Sequence, residues 1–204
     1  QGGTTELVSV GSAGALANGY NSAPSTSADG RLVAFWSSAT NLVFGDTNGF
    51  EDVFVRDRQL GTTERVSVSS AGAQGTNSSG IWGLSLSADG RFVAFMSHAP
   101  NLVLGDTNGL SDVFVHDRQT GTTERVSVDS VGAQGDSTST SPSISGDGRF
   151  VAFGSDATNL VAGDTNGYQD IFVHDRQTGA TERVNVDSAG TEANGYSGGN
   201  GGAS

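Results

Sequence analysis

The chain has 204 residues, 31 of them glycine, no cysteine, and ten basic against 22 acidic residues for a net charge of −12. Lack of cysteine excludes a disulfide framework and thiol chemistry, and the negative charge argues against nucleic acid or an anionic membrane as partner. Gly, Ser, Thr and Val abound where a helical protein would carry Leu, Ile and Met, which predicts an all-β chain rich in turns.

A unit recurs along the chain. Gln1, Gln59, Gln119 and Gln177 mark one point in it, 58, 60 and 58 residues apart, a length that suits about four short strands. The two extra residues fall in the Gly- and Ser-rich stretch between Ala71 and Leu84. Gly3 to Val10 reads as a lone outer strand, so residues 1–12 are expected to be the edge of a preceding unit. Three complete units are then expected over residues 13–70, 71–130 and 131–188, with residues 189–204 forming a glycine-rich tail that begins another repeat.

Within each unit the predicted strands come in a fixed order. The first is a Ser-rich inner strand at 23–27, 84–87 and 141–145. An Asp-Gly turn follows, a strong hairpin signal. Next comes an apolar run at 32–35, 92–95 and 150–153, whose lack of alternation predicts a strand covered on both faces. A third strand is expected at 53–55, 113–115 and 171–173. The last runs from Thr63 to Val68, where Val66 and Val68 alternate with polar neighbours as on an outermost strand with one wet face.

Between the second and third strands of every unit stands GDTNGxxD, at Gly45 to Asp52, Gly105 to Asp112 and Gly163 to Asp170. Asp and Asn oxygens at close spacing, with a Gly that permits a sharp turn, are what Ca²⁺ requires. The expected ligands are Asp46, Asn48, the carbonyl of Phe50, and Asp52. Asp106, Asn108, Leu110 and Asp112 repeat the set, as do Asp164, Asn166, Tyr168 and Asp170. A turn stabilised by Asx side chains is the structural alternative, and the second Asp at a fixed offset in all three copies favours the metal. Two carboxylates per loop predict modest affinity, about 10⁻⁴ to 10⁻³ M. Three Ca²⁺ ions would bring the net charge of −12 to about −6. Asn41, Asn101 and Asn159 are expected to hydrogen bond within their own loops.

The pattern S-x-D-G-R-φ-V-A-F, followed by D-φ-F-V-x-D and a closing T-x-x-x-V strand, resembles the blade of TolB-like, WD-repeat-like β-propellers over nearly the whole chain. The inserted loop is similar in kind to the calcium loops of integrin-type propellers, though shorter. This resemblance implies a partial or intermolecularly completed propeller of three four-stranded antiparallel blades, and implies little about function.

No catalytic residue is expected. No His and Asp combination singles out a serine as a nucleophile, and His116 and His174 share their position with Arg56, which assigns them, with His98, to structure. The repeats differ chiefly at positions that carry no acid, base or nucleophile. The function expected is that of a secreted, extracellular calcium-binding protein with a structural or adhesive role, assembling head-to-tail with copies of itself into filaments. A protein- or glycan-binding module is the alternative, and a hydrolase ranks last. No stretch reaches the about 18 apolar residues of a membrane-spanning helix and no signal peptide opens the sequence. A glutamine at position 1, inside a repeat, suggests either a leader already removed or a piece of a longer array.

Overall fold

A computed structural model describes residues 4–195. The described residues form twelve strands in three antiparallel four-stranded sheets and no helix. The first sheet joins β1 (Asn21–Thr26), β2 (Leu32–Ser37), β3 (Asp52–Asp57) and β4 (Thr62–Arg65) in sequential order. The second repeats it with β5 (Ser79–Leu86), β6 (Phe92–Ser97), β7 (Asp112–Asp117) and β8 (Thr122–Arg125). The third does so with β9 (Ser139–Ile144), β10 (Phe150–Ser155), β11 (Asp170–Asp175) and β12 (Thr181–Arg183). Each is a meander of the propeller-blade type, as the residue pattern predicts.

The two middle strands carry the core. Ala34, Phe35, Val53, Phe54 and Val55 are all buried, as are their equivalents in the second unit, because a central strand pair packs on both faces. Phe35 stacks on Phe54 with ring centroids 6.0 Å apart, and Phe95 on Phe114 and Phe153 on Phe172 do likewise. Between blades, one cluster joins Leu32, Ala34, Val53, Val55 and Val66 of the first to Leu86, Phe95, Ala99, Leu102 and Phe114 of the second. A second cluster repeats the arrangement between the second and third blades. Gly80 allows β5 to approach the first blade closely, since a Cβ there would lie 2.7 Å from Val53 Cγ2.

Three expectations need correction. The outermost strand stops at Arg65, before Val66 and Val68. Its supposed wet face is not wet either: Ser67, between the two valines, is fully buried. The first inner strand begins at Asn21 rather than Ala23, and a bulge interrupts its pairing between Ser22 and Ser25. Finally, the described part of the segment expected as a lone outer strand, from Thr4 to Val10, joins no sheet. Its one ladder contact is an antiparallel bridge from Val10 to Leu16, and the same bridge recurs at Val68 with Gln74, Val128 with Gln134 and Val186 with Glu192.

Two carboxylate networks pin the turns. Ser27 Oγ and the Arg31 amide both donate to Asp29 Oδ1 at the first hairpin. Asp57 accepts from the Gln59 and Leu60 amides and takes a fork of hydrogen bonds from the Arg31 guanidinium, the shortest 2.7 Å. Arg91 with Asp117 and Arg149 with Asp175 repeat this pair. The guanidinium fork holds Asp57 at a pKa of about 2, and holds Asp117 and Asp175 lower still.

Candidate functional site

The GDTNGxxD loops leave β2, β6 and β10 at the rim and return into β3, β7 and β11. Gly49 follows Asn48 with φ of +74°, and Gly109 and Gly167 repeat it, a left-handed turn that glycine adopts without a Cβ clash. The turn sets the two aspartates of each loop facing inward. Asp52, Asp112 and Asp170 open the third strand of their blades and are fully buried.

An arginine from the fourth strand enters the space between the aspartates. Arg65 Nη1 lies 3.1 Å from Asp46 Oδ1 and 3.0 Å from Asp52 Oδ2. Arg125 Nη1 stands 3.4 Å from Asp106 and 3.5 Å from Asp112. Arg183 Nη1 stands 3.3 Å from Asp164 and 3.1 Å from Asp170. The second oxygen of Asp52 accepts a 2.5 Å bond from Ser67 Oγ, which itself accepts from the Val53 amide. Ser127 repeats this for Asp112, and Asn185 does it for Asp170 through its amide group. Burial and the neighbouring carboxylate together push the pKa values of Asp46, Asp106 and Asp164 above the usual carboxylate range, against the pull of the arginine.

Asn48 turns its nitrogen, not its oxygen, toward the acidic centre. Its Nδ2 donates to Asp52 Oδ2 and to the Gly75 carbonyl, while its Oδ1 accepts from the Phe50 amide. Asn108 bonds Asp112, Gly135 and Leu110 in the same way, and Asn166 bonds Asp170, Ala193 and Tyr168. Gly75 lies on the linker to the second blade. From that blade Asn101 donates to the Gln74 carbonyl and accepts from the Thr76 amide. Two asparagines from adjacent blades thus grip three successive linker residues. Asn41 and Asn159 make the corresponding bonds, so this set reaches across to the preceding segment rather than bonding within its own loop.

Calcium takes six to eight oxygen ligands. The first two loops each bring two carboxylates together, already bridged by a guanidinium nitrogen, and an amide oxygen engaged by a backbone N–H. In the third loop Glu192 replaces Gln74 and Gln134 of the earlier units, and Asp164, Asp170 and Glu192 form a cluster of three carboxylates. Arg183 Nη1 sits 2.8 Å from Glu192 Oε2. Asp106 Oδ1 and Asp164 Oδ1 are buried without a hydrogen bond.

Sequence reasoning passes over the arginines, the buried serines and the Gln/Glu position. The available signal was Thr-Glu-Arg recurring in all three units, with its Arg thirteen residues after the second Asp of each loop. The histidines have structural partners: His116 Nδ1 lies 2.9 Å from Thr123 Oγ1, and His174 from Thr181 Oγ1. Burial lowers the pKa of both rings.

No protein-family model matches the chain, and no curated protein matches it in sequence. Among solved structures it is similar to TolB from Acinetobacter baumannii, with 19% identity and a TM-score of 0.51 over 82% of this chain and 32% of that one. The propeller domain of the Trilobed protease from Pyrococcus furiosus matches at 14% identity and a TM-score of 0.49, over 81% of this chain and 42% of that one. An acylaminoacyl peptidase from Pyrococcus horikoshii matches at 15% identity and a TM-score of 0.47, over 81% and 24%. The chain therefore spans less than half the length of each. Likeness at this identity shows the fold alone: the described residues form three blades of the β-propeller type.

Proposed function

We propose that the chain is a non-catalytic structural or adhesive module that works outside the cell, and that its GDTNGxxD loops fasten one blade to the next. The observation that carries this is the grip of Asn48 and Asn101 on residues 74–76, repeated at the following junction by Asn108 and Asn159. The chemistry of each loop is spent inside the fold, on carboxylates bridged by arginine and amides bonded to a linker.

A second reading, calcium binding, is favoured at the third loop alone. There Asp164, Asp170 and Glu192 supply a third carboxylate that the other loops lack. An ion at that loop would rigidify the trailing blade by linkage, to an extent set by its concentration over Kd.

Both readings are tested on the purified chain. A fastening role predicts that Asn108→Ala loosens the junction between the second and third blades, seen as faster amide exchange over residues 126–140. It also predicts no turnover on ester, peptide or glycoside substrates. Turnover abolished by a single acid, base or hydroxyl substitution would contradict it.

A further inference from the structure

The junctions between blades repeat one set of contacts. Arg118 Nε of the second blade bonds Glu64 of the first at 2.5 Å, and Arg176 of the third bonds Glu124 of the second. Ser70 Oγ accepts from the Thr123 amide, and Thr123 Oγ1 donates to the Val68 carbonyl. Ser130, Thr181 and Val128 make the same pair of bonds. In each case the fourth strand of one blade and the segment that follows it contact the next blade.

The front of the first blade is occupied by residues 4–20. Arg58 bonds Glu6, the Thr63 amide donates to Ser12, and Thr63 Oγ1 donates to the Val10 carbonyl. This leading arm is poorly covered: Leu7 and Leu16 are exposed, and so is most of β1. At the other end residues 181–195 form the corresponding trailing arm. The two arms share their sequence closely, TELVSVGSAGALANG against TERVNVDSAGTEANG, and both carry the bridge between their valine and the residue six places on. Nothing among the described residues covers the trailing arm. Val184 is 42% exposed where its equivalents Val66 and Val126 are at 1% and 0%, and Val186 is 38% exposed where Val128 is at 9%. Ile171 and Val173 are part-exposed where Val113 and Val115 are buried.

We infer that the trailing arm of one copy takes the place of the leading arm on the first blade of a second copy. Glu182 would pair with Arg58 of the second copy, Ser188 would accept from the Thr63 amide, and the Val186 carbonyl would accept from Thr63 Oγ1. Only one arm can hold these partners, so the association is an exchange rather than a docking of two finished faces. Burial drives it: the exchanged arm brings a whole blade behind it, so that Ile171, Val173 and Val184 pack against β1 as the junctions within the chain already do. The inference stands on blade packing and does not depend on whether the loops bind calcium.

Sedimentation velocity of the full chain over a range of about 1 to 500 μM tests this, reading Kd as the midpoint of the mass change. The expected result is a shift from monomer to dimer, or to longer species where the exchange stays open. Val186→Asp is expected to abolish the shift and to leave the monomer folded, since that residue is 38% exposed and lies outside the buried core. Glu182→Arg is expected to weaken association about two- to fivefold, the worth of one exposed ion pair, and adding Arg58→Glu to it should restore association while loosening the leading arm. A folded monomer at every concentration overturns the inference. So does association that Val186→Asp and Glu182→Arg both leave intact.

Discussion

Arg65 Nη1 lies 3.0 Å from Asp52 Oδ2, a contact made across the β3–β4 pair with both side chains almost wholly out of water. A buried ion pair of this kind is not by itself a gain in stability, because desolvating two charges offsets much of their attraction. Breaking one is costly, since it strands a charge. The same arrangement in the second blade, Arg125 with Asp106 and Asp112, lies between the other two blades and is the better place to measure it.

Arg125→Met is expected to destabilise the chain by about 3–5 kcal/mol, the usual cost of removing one partner of a buried pair. Urea unfolding followed by tryptophan fluorescence checks this. Adding Asp112→Asn and Asp106→Asn to Arg125→Met should recover part of the loss, because the stranded charges go with it. A single variant as stable as the parent would show that the carboxylates are satisfied elsewhere.

Asn108→Ala removes one donor to Asp112 and one to the Gly135 carbonyl. The bond to the carbonyl is worth about 1 kcal/mol net and the bond to the charged acceptor about 1.5–3 kcal/mol, so a loss of about 2.5–4 kcal/mol is expected in the same unfolding assay. Asn108→Asp should do worse, because it keeps the shape, loses both donors and adds a charge beside Asp112.

Acid is expected to act in two opposite steps. Asp57, Asp117 and Asp175 have folded pKa values depressed by arginine, to about 2 for Asp57, so their stabilisation is full above the ordinary value of about 3.9 and lost as pH falls below it. Asp46, Asp106 and Asp164 have raised values, so folding favours their protonated form: their contribution is full below about 3.9 and lost as pH rises through the raised value. Melting temperatures taken from pH 7 downward should hold or rise slightly into mildly acid solution and then fall between about pH 4 and 2. Arg91→Met, which takes from Asp117 the partner that depresses its pKa, should lower the melting temperature at neutral pH and make the acid limb shallower.

The third loop should differ from the other two in millimolar calcium. A rise in melting temperature with added calcium is expected to vanish in Glu192→Gln and in Asp164→Asn, and to persist in Asp46→Asn and Asp106→Asn. Calorimetric unfolding with calcium and with a chelator distinguishes these outcomes. A response lost equally in all four variants would mean that the loops act alike.

The fold was largely legible in the chain because its signals are local. The Asp-Gly hairpins and the runs Leu32 to Phe35 and Val53 to Val55 predict the central strands, and the recurrence of each in register predicts blades. What alternation could not reveal was Arg65 and Ser67. On a lone strand they look like its solvent face, yet the loop folds over them and turns that face into the buried partner of Asp52. Asn48 misleads for a related reason. Its side chain holds a donor and an acceptor on one amide, and only the position of Gly75, 27 residues on, decides that the donor faces inward. Long-range partners of this sort leave no trace in local spacing.

The most direct measurement is a high-resolution crystal structure of the chain grown in millimolar calcium. The proposed fastening predicts Arg65 and Arg125 between their aspartates, with Asn48 and Asn108 bonded to the linker carbonyls of Gly75 and Gly135. An ion held by Asp46 and Asp52, or by Asp106 and Asp112, with the arginine swung out to solvent, would contradict it.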